Sequence, residues 1–283
     1  MLNTVSLESV DYLVIGHAAH DLTPEGPRLG GTVAYSALTA RALGLRVGVF
    51  TALGPETSLN LLQDIPVISL ESPQSTTFEN IYTEHGRIQY LRAQATRIDL
   101  SQVPQTWRQA SIIHLGPIAN EVDSVLPNGF SPALFGITPQ GWMRQWDSEG
   151  RVSPAAWQDA EPALKQAGAV VLSREDVAGD DELLESMAQH TRVLAVTESA
   201  AGCVLYWHGD RRRFRAPDVK EVDATGAGDV FAAAFFVRLW NTRDPWEAAR
   251  FATLVASHSV TRAGLDGIPT KREIEEALME VLH

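Results

Sequence analysis

The chain has 283 residues, 45% of them apolar and 20% charged, which gives enough material for a substantial core and excludes disordered, collagen-like and repetitive classes. Acidic residues outnumber basic ones 35 to 23, and the net charge of −12 argues against a nucleic-acid partner. A lone cysteine, Cys203, excludes an intrachain disulfide framework and any multi-cysteine metal site.

Residues 1–11 are mostly polar and include Glu8 and Asp11, so no secretory leader is expected. No apolar run reaches the roughly 18 residues of a membrane span, so neither membrane nor nucleic acid is expected as a partner, and the expected compartment is the cytoplasm. Residues 12–16 predict a buried strand that enters a polar loop, 17–21, where a parallel sheet would place ligand residues. A turn-rich stretch follows at 24–31. Val33, Ala37, Ala40 and Leu43 then recur at helical spacing over 32–43, Gly44 stops the helix, and 46–50 resumes as a strand. Strand, loop, helix, strand opens an α/β domain.

Residues 66–70 predict a further strand, and 76–83 with 87–92 flank Glu84-His85-Gly86 as a hairpin in place of a βα unit. Such a hairpin reads as a lid, the alternative being a tolerated surface ornament. Its pocket-facing candidates are Glu79, Asn80, Tyr82, Tyr90 and Arg92, of which only alternate ones can face inward. The α/β rhythm returns with strands at 111–115, 134–137, 169–172 and 193–197 and helices at 154–167 and 180–189. A hairpin over 202–215 turns at Gly209-Asp210; an apolar helix over 230–240 and helices over 245–259 and 271–282 complete the chain.

The most informative segment is Val222-Asp223-Ala224-Thr225-Gly226-Ala227-Gly228-Asp229, directly ahead of the apolar helix. Small residues admit close approach of a ligand to the backbone. The first-turn N–H groups of a helix have no intrahelical partner, and with the helix dipole they form an anion site. A carboxylate inside such a site repels phosphate unless its task is to take a proton from a hydroxyl beside the transferred group. The competing reading makes Asp229 a helix cap and the glycines a plain turn.

This segment resembles the C-terminal signature of the ribokinase-like, or PfkB, family of carbohydrate and nucleoside kinases. Gly30-Gly31 ahead of a small-residue helix resembles the family's N-terminal signature, and the resemblance runs over essentially the whole chain. It implies a single ribokinase-like α/β domain over 1–283. The implied fold is a three-layer α/β/α sandwich with a small β lid formed mainly by about 20–30 and 72–95. It implies ATP-dependent phosphoryl transfer to a hydroxyl, with Asp229 as base, the Gly226, Ala227 and Gly228 amides as anion hole and Thr225 holding the phosphate chain.

At the substrate end the resemblance places Asp21, Gly30, Gly31, Thr32 and Tyr35, with His20 beside them; a carboxylate such as Asp21 can accept from two hydroxyls of a polyol. The alternative for Asp21 is a loop Asx-turn, and a His17–His20–Asp21 metal trio lacks a further histidine or cysteine ligand. His20-Asp21 and the run Thr138-Pro139-Gln140-Gly141-Trp142-Met143-Arg144 resemble the inositol-kinase-like branch, with Gln140 and Arg144 toward the substrate or, alternatively, in a surface loop. At the donor end the resemblance implies nucleotide contacts from Thr197, Glu198, Gly202, Ser257 and Gly264, Mg²⁺ near Asp176 or Glu175, and room for a monovalent cation by Asp223. The expected substrate is an inositol-like polyol; ribose, a nucleoside, or a non-catalytic sensor of the same fold are the alternatives. A monomer or a homodimer through the lid is expected.

Overall fold

The computed structural model describes residues 7–23, 26–83 and 86–279. In chain order the first elements are β1 (Tyr12–Ile15), β2 (Ala19–Thr23), β3 (Gly26–Gly30), α1 (Thr32–Ala42), β4 (Val47–Leu53) and β5 (Val67–Glu71). The lid hairpin β6 (Thr76–Thr83) and β7 (Gly86–Ala93) follows, then β8 (Ile112–Leu115), β9 (Leu134–Ile137), and the short pair β10 (Arg144–Trp146) and β11 (Val152–Pro154). The C-terminal half contains α2 (Ala160–Gln166), β12 (Ala169–Ser173), α3 (Asp181–His190), β13 (Val193–Thr197), β14 (Cys203–Trp207) and β15 (Asp210–Phe214). Helices α4 (Ala227–Thr242), α5 (Pro245–Ser259) and α6 (Lys271–Leu278) close the described chain.

One nine-stranded sheet forms the middle layer, in the order β15-β14-β13-β12-β9-β8-β1-β4-β5. Every pairing from β5 across to β13 is parallel, and β14 and β15 are added antiparallel, with β15 at the outer edge. Side chains alternate across this sheet as the pleat requires. Tyr12 and Val14 join the core beneath α1, α4 and α5, while Leu13 and Ile15 join the opposite core with Trp107, Leu164 and Leu184. Helix α4 is apolar on nearly every face because it lies among the sheet, α1 and α5. Asp244 caps α5 by accepting from the Trp246 and Glu247 N–H groups, with Pro245 opening the helix. Among the described residues no helix is long and apolar enough to cross a membrane.

The chain leaves β1 for β4 on one side and returns to β8 on the other, so the strand order reverses between β1 and β8. Ligands of open α/β sheets bind in the crevice beyond such a switch point. Here the two chains separate at Gly16 and Gly116, so close that a Cβ on Gly16 would lie 2.3 Å from the Gly116 carbonyl oxygen. Glu121, buried beside them, accepts from the N–H groups of His17 (2.8 Å), Ile118 (3.0 Å) and Ala119 (2.7 Å). That carboxylate clips the loop after β1 to the loop after β8.

The lid is a second sheet, β3-β2-β6-β7, seated on a small core of Ala19, Phe78, Leu91, Ile118 and Ala119. Residues 17–21, expected as a loop from local pattern, run into strand β2 of this sheet, which pairs parallel with β6 and lies mostly within the 20–30 span that the resemblance assigned to the lid. The outer side of β7 is partly covered by a Tyr90–Arg151 bridge and by the Leu91 N–H bond to Gly150 (2.8 Å). The helix expected from residue 154 begins only at Ala160. Residues 152–154 pair instead with 144–146, a non-local partner that Pro154 permits because it sits at a strand end. Glu84, His85 and the end of the expected helix over 271–282, from residue 280 on, lie outside the described residues.

Candidate active site

A cleft of about 2350 Å³ runs between the lid and the C-terminal ends of the parallel strands. Its floor is the start of α4. Gly226 precedes the helix at φ 77° and ψ −2°, a left-handed conformation that favours glycine. A Cβ there would also lie 2.2 Å from the Tyr35 ring. Two residues on, Gly228 has no atom within 4 Å of where its Cβ would stand, so its backbone is open to the cleft. The Ala227 N–H is engaged by the Ala224 carbonyl (3.2 Å), which corrects its expected place in the anion hole. Among the described residues the Gly226 and Gly228 amides have no protein partner. Thr225 lines the same cradle.

Asp229, third in α4, also lines the cleft. Among the described residues no side chain caps α4, so Asp229 is not the helix cap that the competing reading made it. Its carboxylate is hydrogen-bonded to Thr32, and Ser36 Oγ donates to its backbone carbonyl at 3.3 Å. Burial pushes the carboxyl up to about 6; the Thr32 bond and the Arg144 charge oppose the rise, and Asp176 and Asp21 add to it. A brace of buried groups lies behind it: Tyr12 hydrogen-bonds Ser36 and, at 2.8 Å, His114 Nδ1, whose Nε2 meets Thr138 Oγ1 at 3.0 Å. Burial pushes the His114 imidazole down to about 3, so it is neutral in this brace.

Asp21 faces the cleft from β2, opposite Arg28 in the β2–β3 ladder. Its Oδ2 lies 2.1 Å from where a Cβ on Gly30 would stand, so Gly30 seats the carboxylate and does not itself line the cleft. Gly31, at φ 82°, turns the chain into α1 and does line it, as do Thr32, His20, Gln140 and Arg144. Tyr35 packs under Gly226, its ring filling the space a Cβ there would take. Both nitrogens of the His17 ring are engaged within the fold, with Thr76 Oγ1 at 2.7 Å and the Thr96 carbonyl at 2.9 Å. On the lid, Phe78 and Asn80 face the cleft, and Gln89 Nε2 donates to Asn80 Oδ1 at 3.0 Å. Glu79 pairs with Arg92, whose guanidinium lies 4.2 Å from the Tyr90 ring centre, so these three form the lid's outer group. The Tyr82 side chain lies outside the described residues.

Opposite Asp229, Asp176 accepts from the Ser173 N–H (2.8 Å) and from Gln140 Nε2 (3.4 Å), and burial raises its carboxyl against the pull of these bonds and of Arg144. Glu175 stands exposed beside it on the cleft wall. Thr197, Gly202, Ser257 and Gly264 line the far end, next to an apolar strip of Val222, Ala256, Val260 and Leu265. The Ser257 hydroxyl is held by the Thr253 carbonyl at 2.7 Å. Glu198 does not reach the cleft, because Arg174 and Arg213 draw its carboxylate aside. Ser199, which follows it, holds φ 50° without being glycine. The Asp223 carboxylate, held low against its burial by hydrogen bonds, accepts from the N–H groups of Thr225 and Gly264, each at 2.9 Å, and ties the cradle to the far end. Sequence reasoning missed Glu121 and His114. Their role lies in non-local bonding that no local pattern carries.

A parallel sheet with a β lid over a glycine-opened helix defines the ribokinase fold. A pyrophosphate-dependent kinase of the ribokinase family, in complex with a pyrophosphate analogue and myo-inositol, superposes with a TM-score of 0.76 at 24% identity over 94% of this chain and all of its own. The ribokinase of Thermotoga maritima superposes at 0.71 and 20% identity over 95% of this chain and 99% of its own. Residues 159–271 match the pfkB family carbohydrate kinase model. The fructokinase of Escherichia coli is 26% identical over 302 aligned positions, 93% of this chain and 97% of its own. The ribokinase of Bacillus subtilis is 42% identical over 96 residues, but the match spans only a third of each chain, 33% and 32%.

Proposed function

We propose that the protein transfers the γ-phosphoryl group of ATP to a hydroxyl of a small sugar or cyclic polyol, an inositol-like polyol being favoured. The observation that carries this reading is the uncapped α4: its open Gly226 and Gly228 amides stand beside the half-buried Asp229, with Asp21 on the opposite wall. Asp21 accepts hydrogen bonds from substrate hydroxyls, and Asn80, Gln89 and Gln140 offer both donors and acceptors along the same wall. Asp229 takes the proton from the attacking hydroxyl. The Gly226 and Gly228 amides, with Arg144 across the cleft, stabilise the charge that develops on the transferring group. The lid excludes water, which limits wasteful hydrolysis.

The donor groups fit ATP and Mg²⁺. The strip of Val222, Ala256, Val260 and Leu265 suits a flat base, and the exposure of Val222 (59%) in the free protein gives that strip an open apolar face. Asp176, with Glu175 beside it, would hold Mg²⁺, which needs only one or two carboxylates when phosphate oxygens and water complete its shell. When bound, the ion neutralises phosphate charge. ATP consumption on a panel of myo-inositol, fructose, ribose and nucleosides tests the reading. Turnover with myo-inositol is expected, and in Asp229→Asn it falls by about two to four orders of magnitude with the fold intact. Tight binding without turnover on any member would sink it.

A further inference from the structure

A second cavity, of about 970 Å³, lies at the other end of the sheet, where β9, β12 and β13 begin. It belongs to no part of the cleft above: α4 presents its first turn to that cleft and its last, Leu239 to Arg243, to this cavity, and its 16 residues span about 24 Å. Three segments each send an arginine to it: Arg192 ahead of β13, Arg211 on β15 and Arg243 at the end of α4. None of the three forms an ion pair or hydrogen bond with a side chain among the described residues. Arginines elsewhere on this acidic chain do, as in Arg46–Asp11, Arg238–Glu247 and Arg262–Glu273. Glu185 and Asp210 border the same cavity without pairing to any of the three.

The walls between these charges are aromatic. Trp207 and Trp240 are partly buried in them, and Trp207 is held by an edge contact to Trp246 at 5.5 Å. Guanidinium groups bind oxyanions through a planar fork, and flat rings stack on indole and guanidinium faces. The volume is in the range of small-molecule sites and is far larger than an inorganic anion needs. The geometry points to a binding site for a nucleoside phosphate, its phosphate among Arg192, Arg211 and Arg243 and its base against Trp207 or Trp240. This site is independent of the phosphoryl-transfer cleft.

Tryptophan fluorescence separates the two sites, since among the described residues no tryptophan lines the main cleft and two line this one. Titration of the whole protein with AMP is expected to quench part of the emission saturably. The quench is expected to vanish in the Trp207→Phe/Trp240→Phe protein. Its midpoint is expected to rise about tenfold for each of Arg192→Ser and Arg243→Ser, two exposed positions, the loss of one charge-assisted contact. Adenosine and inorganic phosphate alone are expected to bind more weakly than AMP. A quench that survives the tryptophan substitutions, a midpoint indifferent to both arginine substitutions, or phosphate binding as tightly as AMP would overturn the assignment. Equilibrium dialysis of AMP against both arginine variants probes the same site without fluorescence: unchanged stoichiometry and affinity reject it.

Discussion

Asp229 is the residue at which chemistry and stability pull in opposite directions. In its proposed role as base it must be ionised, and burial raises its carboxyl to about 6, so turnover should climb through that pH and level off above it. The same rise sets the sign of its linkage. An unfolded aspartate titrates near about 3.9, so between that pH and about 6 the folded state holds a proton that the unfolded state has released. Stability from this group is therefore lost as pH rises through the window, and the cost is fully present above it. Asp229→Asn removes the cost while an amide oxygen can still meet Thr32. The variant should melt several degrees above the wild type at pH 8 and level with it near pH 4. Circular-dichroism melts of both proteins at the two pH values check this. A variant that is weaker at pH 8 would mean that Thr32 and Arg144 outweigh burial.

At the level of elements, the start of α4 gives two glycines opposite duties. Gly226→Ala forces a side chain into a left-handed residue and into the Tyr35 ring, and should cost about 2 kcal/mol or more. Gly228→Ala enters open space inside a helix, where alanine is intrinsically better by up to about 1 kcal/mol, so stability should hold or rise. Its methyl nevertheless occupies the void proposed for phosphate, and the donor KM should rise about tenfold or more. Urea titration and steady-state kinetics separate the two effects, and a Gly228→Ala enzyme with unchanged donor KM would remove phosphate from that void. The glycine signal and the parallel sheet were legible in the sequence because both rest on local pattern: apolar runs ending in glycine, and small residues ahead of an apolar helix. Strand β2 was not, since Ala19-His20-Asp21-Leu22 has no strand-like alternation and is held by β6, more than fifty residues onward. The start of α2 was misplaced because Pro154 suits a first helical turn as well as a strand end. Local pattern also could not show that Glu198 is drawn off by two arginines, or that Tyr90 belongs to the outer face of the lid.

On the scale of the whole molecule, the lid rests on a separate small core and is joined to the body by the chain at 16–18, 31, 72–75 and 94–99. Such a unit opens at lower free energy than the central strands. Amide exchange in β2, β6 and β7 should slow by about tenfold or more when myo-inositol and a non-hydrolysable ATP analogue are bound together, with β1 and β8 little changed. Hydrogen-exchange mass spectrometry reads both regions in one experiment, and equal protection of lid and centre would deny the lid a closing role. The far rim of the large sheet has a different bearing. Its outermost strand, β15, exposes Arg211, Arg212 and Arg213 in succession, with Arg212 laid over the Trp246 ring at 4.3 Å. Unpaired backbone at a sheet margin invites a foreign strand, and a row of cations there meets any identical margin with repulsion. Crowded molecules of this protein are thereby kept from zipping rim to rim into fibres.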